Sequence, residues 1–194
     1  MPLLTREIKD GSYKPAPSAD NYLNTRDIPA NRDGKLRITL LGDDVCTGYQ
    51  IWATGPKSNI AMRFSDQPSD EDIKDRCKEL GASDPKKPSF FMAYAVWNYS
   101  LERVQVFQFT QTSLINPLVE ALSDEEIEME PWATDFNLSH NGLREKEKRF
   151  IVTPVTGKRR NSDNKKVIDK AFAEVVDAGF DIKRLLVGDP FKPA

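Results

Sequence analysis

Histidine is nearly missing from this chain: His140 is the only one in 194 residues, and cysteine is limited to Cys46 and Cys77. One imidazole and two separated thiols lack metal-ligand spacing, which argues against a structural zinc site. In a reducing compartment both thiols serve as inert filler. No apolar run approaches the roughly 20 residues that span a bilayer, and the opening MPLLTREIKD has no apolar signal core. The expectation is a cytoplasmic protein with no membrane partner. There is no Gly-rich phosphate loop, no nucleophile elbow and no Ser/His/Asp constellation. Catalysis, a cofactor and a bound metal are therefore not expected. Nor is there a large surplus of one charge: 28 Lys and Arg face 30 Asp and Glu. The distribution is uneven, however. Residues 141–194 carry 13 Lys and Arg against 8 Asp and Glu, and residues 1–140 carry 15 against 22. A mildly acidic protein can still hold a basic groove, because local field decides what binds.

What the chain does have is one strongly apolar and aromatic stretch, Phe90 to Leu122. Two runs rich in Val, Phe, Tyr and Trp, Phe90–Trp97 and Arg103–Thr110, suit a pleated, half-buried surface. Asn98-Tyr99-Ser100 between them predicts a tight hairpin. After Thr110 the period changes, and Leu114, Ile115, Leu118, Val119 and Leu122 share one helical face.

Residues 1–33 are polar, contain Pro2, Pro15, Pro17 and Pro29, and show no sustained period. An extended arm is expected, lying on the domain or disordered, with a neighbouring subunit as the functional alternative. Leu36, Ile38 and Leu40 alternate with polar residues as in a half-buried strand, which Gly42-Asp43-Asp44 turns or bulges before strand resumes at Gly48–Ala53. Ile60–Phe64 is a further short strand. Ser69 followed by acids, with Gly81 beyond Leu80, predicts a capped helix. Ser123–Glu130 is an acidic loop or helix tail. Thr134–Ser139 and Lys148–Val155 form a second hairpin about Asn141-Gly142. Ser162–Ala178 carries an apolar stripe of Ile168, Ala171, Phe172, Val175 and Val176, so this helix docks on its own domain or on a partner.

A long bent strand, a hairpin, a helix and a second hairpin make a mainly β, α+β chain. A helix between the third and fourth of five strands is the layout of an OB-fold barrel. The expected division is an arm (1–33), an OB-fold domain (34–156) and a C-terminal helical extension packed on it (157–194). The block AYAVWNYSLERVQVFQFTQTSLINPLVEAL, with PWATDFNLSHNG and KRFIVTPV, resembles tailed-phage single-stranded DNA-binding proteins with an OB-fold. The resemblance spans about residues 89–156 and is weaker over 34–64. It implies largely sequence-independent binding of single-stranded DNA, with RNA or duplex as weaker ligands, during phage replication or recombination, in the host cytoplasm, with replication proteins and self-association as further partners. Many replication single-strand binders carry an acidic tail that recruits such proteins, whereas this chain ends KRLLVGDPFKPA.

Such binding needs flat aromatic faces for bases and cations along the phosphates. The candidates are Tyr49, Trp52, Phe91, Trp97 and Tyr99, with Arg37, Lys57, Arg63, Arg103, Lys158, Arg159 and Arg160. Strand parity puts Phe91, Ala93, Ala95 and Trp97 on one face, where the alanines would leave a shallow track suited to a base. That face is expected to look outward, against the alternative that Trp97 is core. Two other readings stay open. One is a protein–protein interaction module, because OB-folds host many functions. The other is a metal-dependent nuclease built from Asp124, Glu125, Glu126, Glu128, Glu130 and Asp135.

Overall fold

A computed structural model describes residues 21–124, 134–143, 148–155 and 162–192. In chain order its elements are β1 (Tyr22–Leu23), a 3-10 turn (Thr25–Asp27), β2 (Leu36–Thr54), β3 (Asn59–Phe64), α1 (Asp70–Leu80), β4 (Ser89–Asn98), β5 (Arg103–Phe109), α2 (Thr112–Leu122), β6 (Asp135–His140), β7 (Phe150–Pro154), α3 (Ser162–Asp177) and a 3-10 segment (Ile182–Leu186). The expected elements are present to within a residue or two. The two strand pieces flanking Gly42 form one 19-residue strand, β2, bulged between Leu41 and Val45. Gly42 supplies the positive φ of 67° there, a conformation costly for residues with a Cβ. Helix α1 begins with a reciprocal cap: the Asp72 N–H donates to Ser69 Oγ and the Ser69 N–H donates to the Asp72 carboxylate. It ends on Gly81 in the left-handed region.

The strands form one mixed, seven-stranded sheet in the order β1-β5-β4-β2-β6-β7, with β3 also on β2. One edge of β2 pairs with β4 from Ile38 to Gln50. The other edge pairs with β6 over Leu36–Thr39 and with β3 over Tyr49–Thr54. The bulge lets one strand serve both ends. Gly48 lies at the tightest point, since a Cβ there would sit 2.3 Å from the Phe64 carbonyl oxygen.

The expectation of a closed five-stranded barrel is corrected in two ways. The sheet is not closed, because β5 and β7 do not pair. Instead the chain before β2 crosses the opening. Tyr22 and Leu23 pair in parallel with Val106 and Phe107 of β5. The Asn31 N–H then donates to the His140 carbonyl, and the His140 N–H to that of Pro29. Residues 21–33 are thus a docked strap, with Leu23 and Ile28 buried, the first of the two placements expected for this stretch. The proline-rich composition that hides periodicity is compatible with an extended segment held by a few backbone bonds and two apolar anchors. Residues 1–20 of the expected arm lie outside the described residues.

Apolar side chains pack on both faces of the sheet. The inner face (Ile38, Leu40, Tyr94, Val96, Phe107, Phe136) is filled by Leu114 and Leu118 of α2 and by Leu23 and Ile28 of the strap. Burial without a charged partner pushes the Tyr94 phenol up to about 12. The outer face is covered by α3 and the 3-10 segment.

Candidate nucleic-acid interface

The outer face has two parts. Near Trp97 it holds Leu41, Ala95, Trp97 and Val104, and α3 lays Ile168 onto them with Ala171, Phe172 and Val175 alongside. Next to this, Cys46, Phe91, Ala93 and Val106 lie under Ile182 and Leu185. Phe91 is 0 % exposed and Trp97 5 %. The predicted open track is therefore corrected: its face is the outer one, but the C-terminal extension fills it. A row of small residues between two aromatic rings suits helix side chains as well as it suits a base. Parity alone could not say which would occupy it.

Beyond the covering segments the outer face continues over Gln108 of β5, Gln50 and Trp52 of β2, and Arg63 of β3. Register sets this grouping, since Gln108 lies opposite Ala93, Gln50 opposite Arg63 and Trp52 opposite Ala61. With Tyr22 and the start of α2 these residues line an open cleft of about 420 Å³. The Trp52 indole is 49 % exposed, and its small cross-strand neighbour Ala61 leaves it uncrowded. Its carbonyl accepts the Lys86 N–H at 2.8 Å, which fixes the Lys86-Lys87 loop beside it. Lys57 is exposed on the β2–β3 turn.

Arg63 is the charged group of the cleft. It donates to Gln108 Oε1 at 2.9 Å, and Gln108 Nε2 donates in turn to Gln50 Oε1. Its Nε–H is buried and has no hydrogen-bond partner among the described residues. Burial lowers its pKa, and the nearby groups that oppose this are Tyr22 and Cys46, neither of them a carboxylate. A half-buried guanidinium held by a neutral amide has electrostatic capacity for an anion. No protein-family model matches the chain, and no curated protein matches it.

The other sequence candidates separate from this cleft. Arg37, Tyr99, Trp97 and Arg103 lie toward the opposite ends of β4 and β5 from this cleft. Arg37 donates from Nε to the buried Asp135 carboxylate at 2.9 Å and from its terminal NH2 to the same oxygen. Its guanidinium lies 4.5 Å from the Tyr99 ring centroid, and the Tyr99 hydroxyl donates to Asp135 at 3.0 Å. This network ties Arg37 and Tyr99 to the buried Asp135 carboxylate. Arg103 is half-buried opposite Asn98. Tyr49 lies on the other face of β2, edge-on to Phe90 with ring centroids 5.8 Å apart; Phe90 is exposed. Lys158, Arg159 and Arg160, and the acidic run Glu125–Glu130, lie outside the described residues. Among the described residues no group of three His, Cys, Asp or Glu side chains is placed to hold a metal ion, and no helix is long and apolar enough to cross a membrane.

Of the predicted set, Trp52 and Arg63 meet, with Lys57 at the adjoining turn. Gln50, Gln108 and Tyr22 were missed. Their only local signal is an amide or phenol in an apolar or extended stretch. What makes them a site is pairing between β1, β2, β3 and β5, which no local spacing encodes.

Proposed function

We propose that this protein binds single-stranded DNA, largely without regard to sequence, on the uncovered end of the outer sheet face, and so protects and organises the strand during replication or recombination. One observation carries the reading: an exposed indole, Trp52, stands beside a guanidinium, Arg63, that has no acidic partner among the described residues to neutralise it. A base stacks on the first, and a phosphate oxygen satisfies the second. Lys57, Lys86 and Lys87 extend the positive field from the cleft along the strand's path. In this reading the fold is an OB-type strand arrangement left open between β5 and β7. The adjacent strands β5-β4-β2-β6-β7, with a helix before β6, follow the OB order, and the strap stands where the closing strand pair would be.

Fluorescent single-stranded oligonucleotides titrated at two salt concentrations test the proposal. Binding should be measurable at low salt and weaken as salt rises. Trp52→Ala should weaken it by about 1–3 kcal/mol and leave the melting temperature nearly unchanged, because half the side chain is in solvent. Absence of binding at low salt, or affinity indifferent to both salt and Trp52, would sink the proposal.

A further inference from the structure

One aromatic pair on the inner face is left between the two helices that cover it. Tyr49 and Phe90 are cross-strand partners in β2 and β4, with ring centroids 5.8 Å apart and planes at 73°. On one side, α1 packs Ile73 and Cys77 against Ile51, Ala53 and Met62. On the other, Leu114 and Leu118 of α2 join the cluster that holds Met92 and Tyr94. Neither cluster includes Phe90, which is 41 % exposed. The same end of β4 borders the cleft. Ser89 lies opposite Gln50, a residue of the cleft wall, and Phe90 follows it directly. Strand β5 stops at Phe109, opposite Met92, so among the described residues Ser89 and Phe90 pair with β2 alone. Successive side chains of a strand point to opposite faces, so the cleft and the aromatic pair are two sides of one open corner of the sheet. The loop leading into that corner is positive. Residues 85–91, PKKPSFF, hold Lys86 and Lys87 and no acid. Both lysines are exposed, and the Lys86 N–H bond to the Trp52 carbonyl pins the loop beside β2. Asp84, the acid just before it, accepts from Ser83 Oγ at 3.2 Å.

We propose that Phe90, braced edge-on by Tyr49, is a second base-stacking site, which the bound strand reaches by turning over the end of β4 past Lys86 and Lys87. The inference rests on the strand-binding reading given above and extends its footprint from the cleft to the inner face. Continuity and charge select the occupant. Two exposed rings, Trp52 and Phe90, stand on either side of a two-lysine loop. That order suits a chain whose bases go to the rings while its phosphates cross the ammonium groups between them. Any base has a π-face, so the second site adds affinity without adding sequence preference. The turn also sorts single strands from duplex. Duplex DNA is stiff over about 150 base pairs and does not bend round one corner of a small sheet, whereas a single strand does. Phe90 therefore acts on single strands alone.

Phe90→Leu and Phe90→Trp, titrated with labelled single-stranded oligonucleotides of graded length, test this. Leucine keeps an apolar side chain and removes the π-face; tryptophan keeps both. Melting curves establish that each variant is folded, and affinities are taken per folded molecule. Phe90→Leu is expected to bind long oligonucleotides about tenfold more weakly than the parent. It should bind the shortest ones as the parent does, because those fill the cleft alone. Phe90→Trp should match the parent at every length. If Phe90→Leu matches the parent at every length while Trp52→Ala weakens binding, the inference is overturned and strand binding stands. If the parent binds no oligonucleotide, both fail. An equal loss at every length would also overturn the inference, by making Phe90 a support of the cleft and not a site beyond it.

Discussion

At the scale of single residues, two polar side chains show how position decides role. Asp135 is buried at the start of β6, where an isolated carboxylate would be expensive. Arg37 and Tyr99 both donate to it, offsetting that cost. His140 sits at the end of β6, and its Nδ1 accepts the Gly142 N–H at 2.9 Å. Its pKa is lowered from the usual 6.5 by partial burial and by the nearby Lys148, against a smaller opposing pull from Asp33. The neutral imidazole is therefore favoured in the folded protein. Its contribution to stability is present above the unfolded value and is lost as pH falls through the folded one. Because it is the only histidine, its ring-proton resonances need no assignment. They should titrate with a midpoint below 6.5; a midpoint at or above that value would show that the burial and Lys148 effects are overcome.

At the scale of elements, β4 and α3 teach the most. Alternation in Phe90–Trp97 correctly sorts the residues onto two faces, because period two is a property of the strand itself. It cannot say what covers a face, which depends on a helix some seventy residues later in the chain. Trp97 thus becomes a buried contact of Ile168 and its neighbours. Trp97→Ala should destabilise the protein by about 3–5 kcal/mol, as expected for an aromatic core truncation. Chemical denaturation gives that number, and binding per folded molecule should match the parent. A stable variant with impaired binding would restore Trp97 to the interface. Helix α1 was legible in full because its signals, Ser69, Asp72 and Gly81, are local. The amides of the cleft were not legible, because Gln50 and Gln108 acquire meaning only through cross-strand register.

For the whole molecule, strand order was legible and closure was not. Hairpins β4–β5 and β6–β7 and the intervening helix follow from nearby turns and periods. The gap between β5 and β7, and the strap that crosses it, depend on contacts between distant parts of the chain, such as Tyr22 with Val106 and Ala30 with His140. Those contacts close long loops and gain little until the sheet they join already exists. The strap should accordingly dock after the rate-limiting step of folding. Ile28, a residue of the strap that is 1 % exposed, reports on this. Ile28→Ala should speed unfolding in stopped-flow denaturant jumps and leave the refolding rate nearly unchanged, since late contacts act on the unfolding limb. An equal effect on both limbs would place the strap in the nucleus. The strap thus acts as a latch in time: it has little say in how fast the protein reaches its fold and much in how long each molecule keeps it.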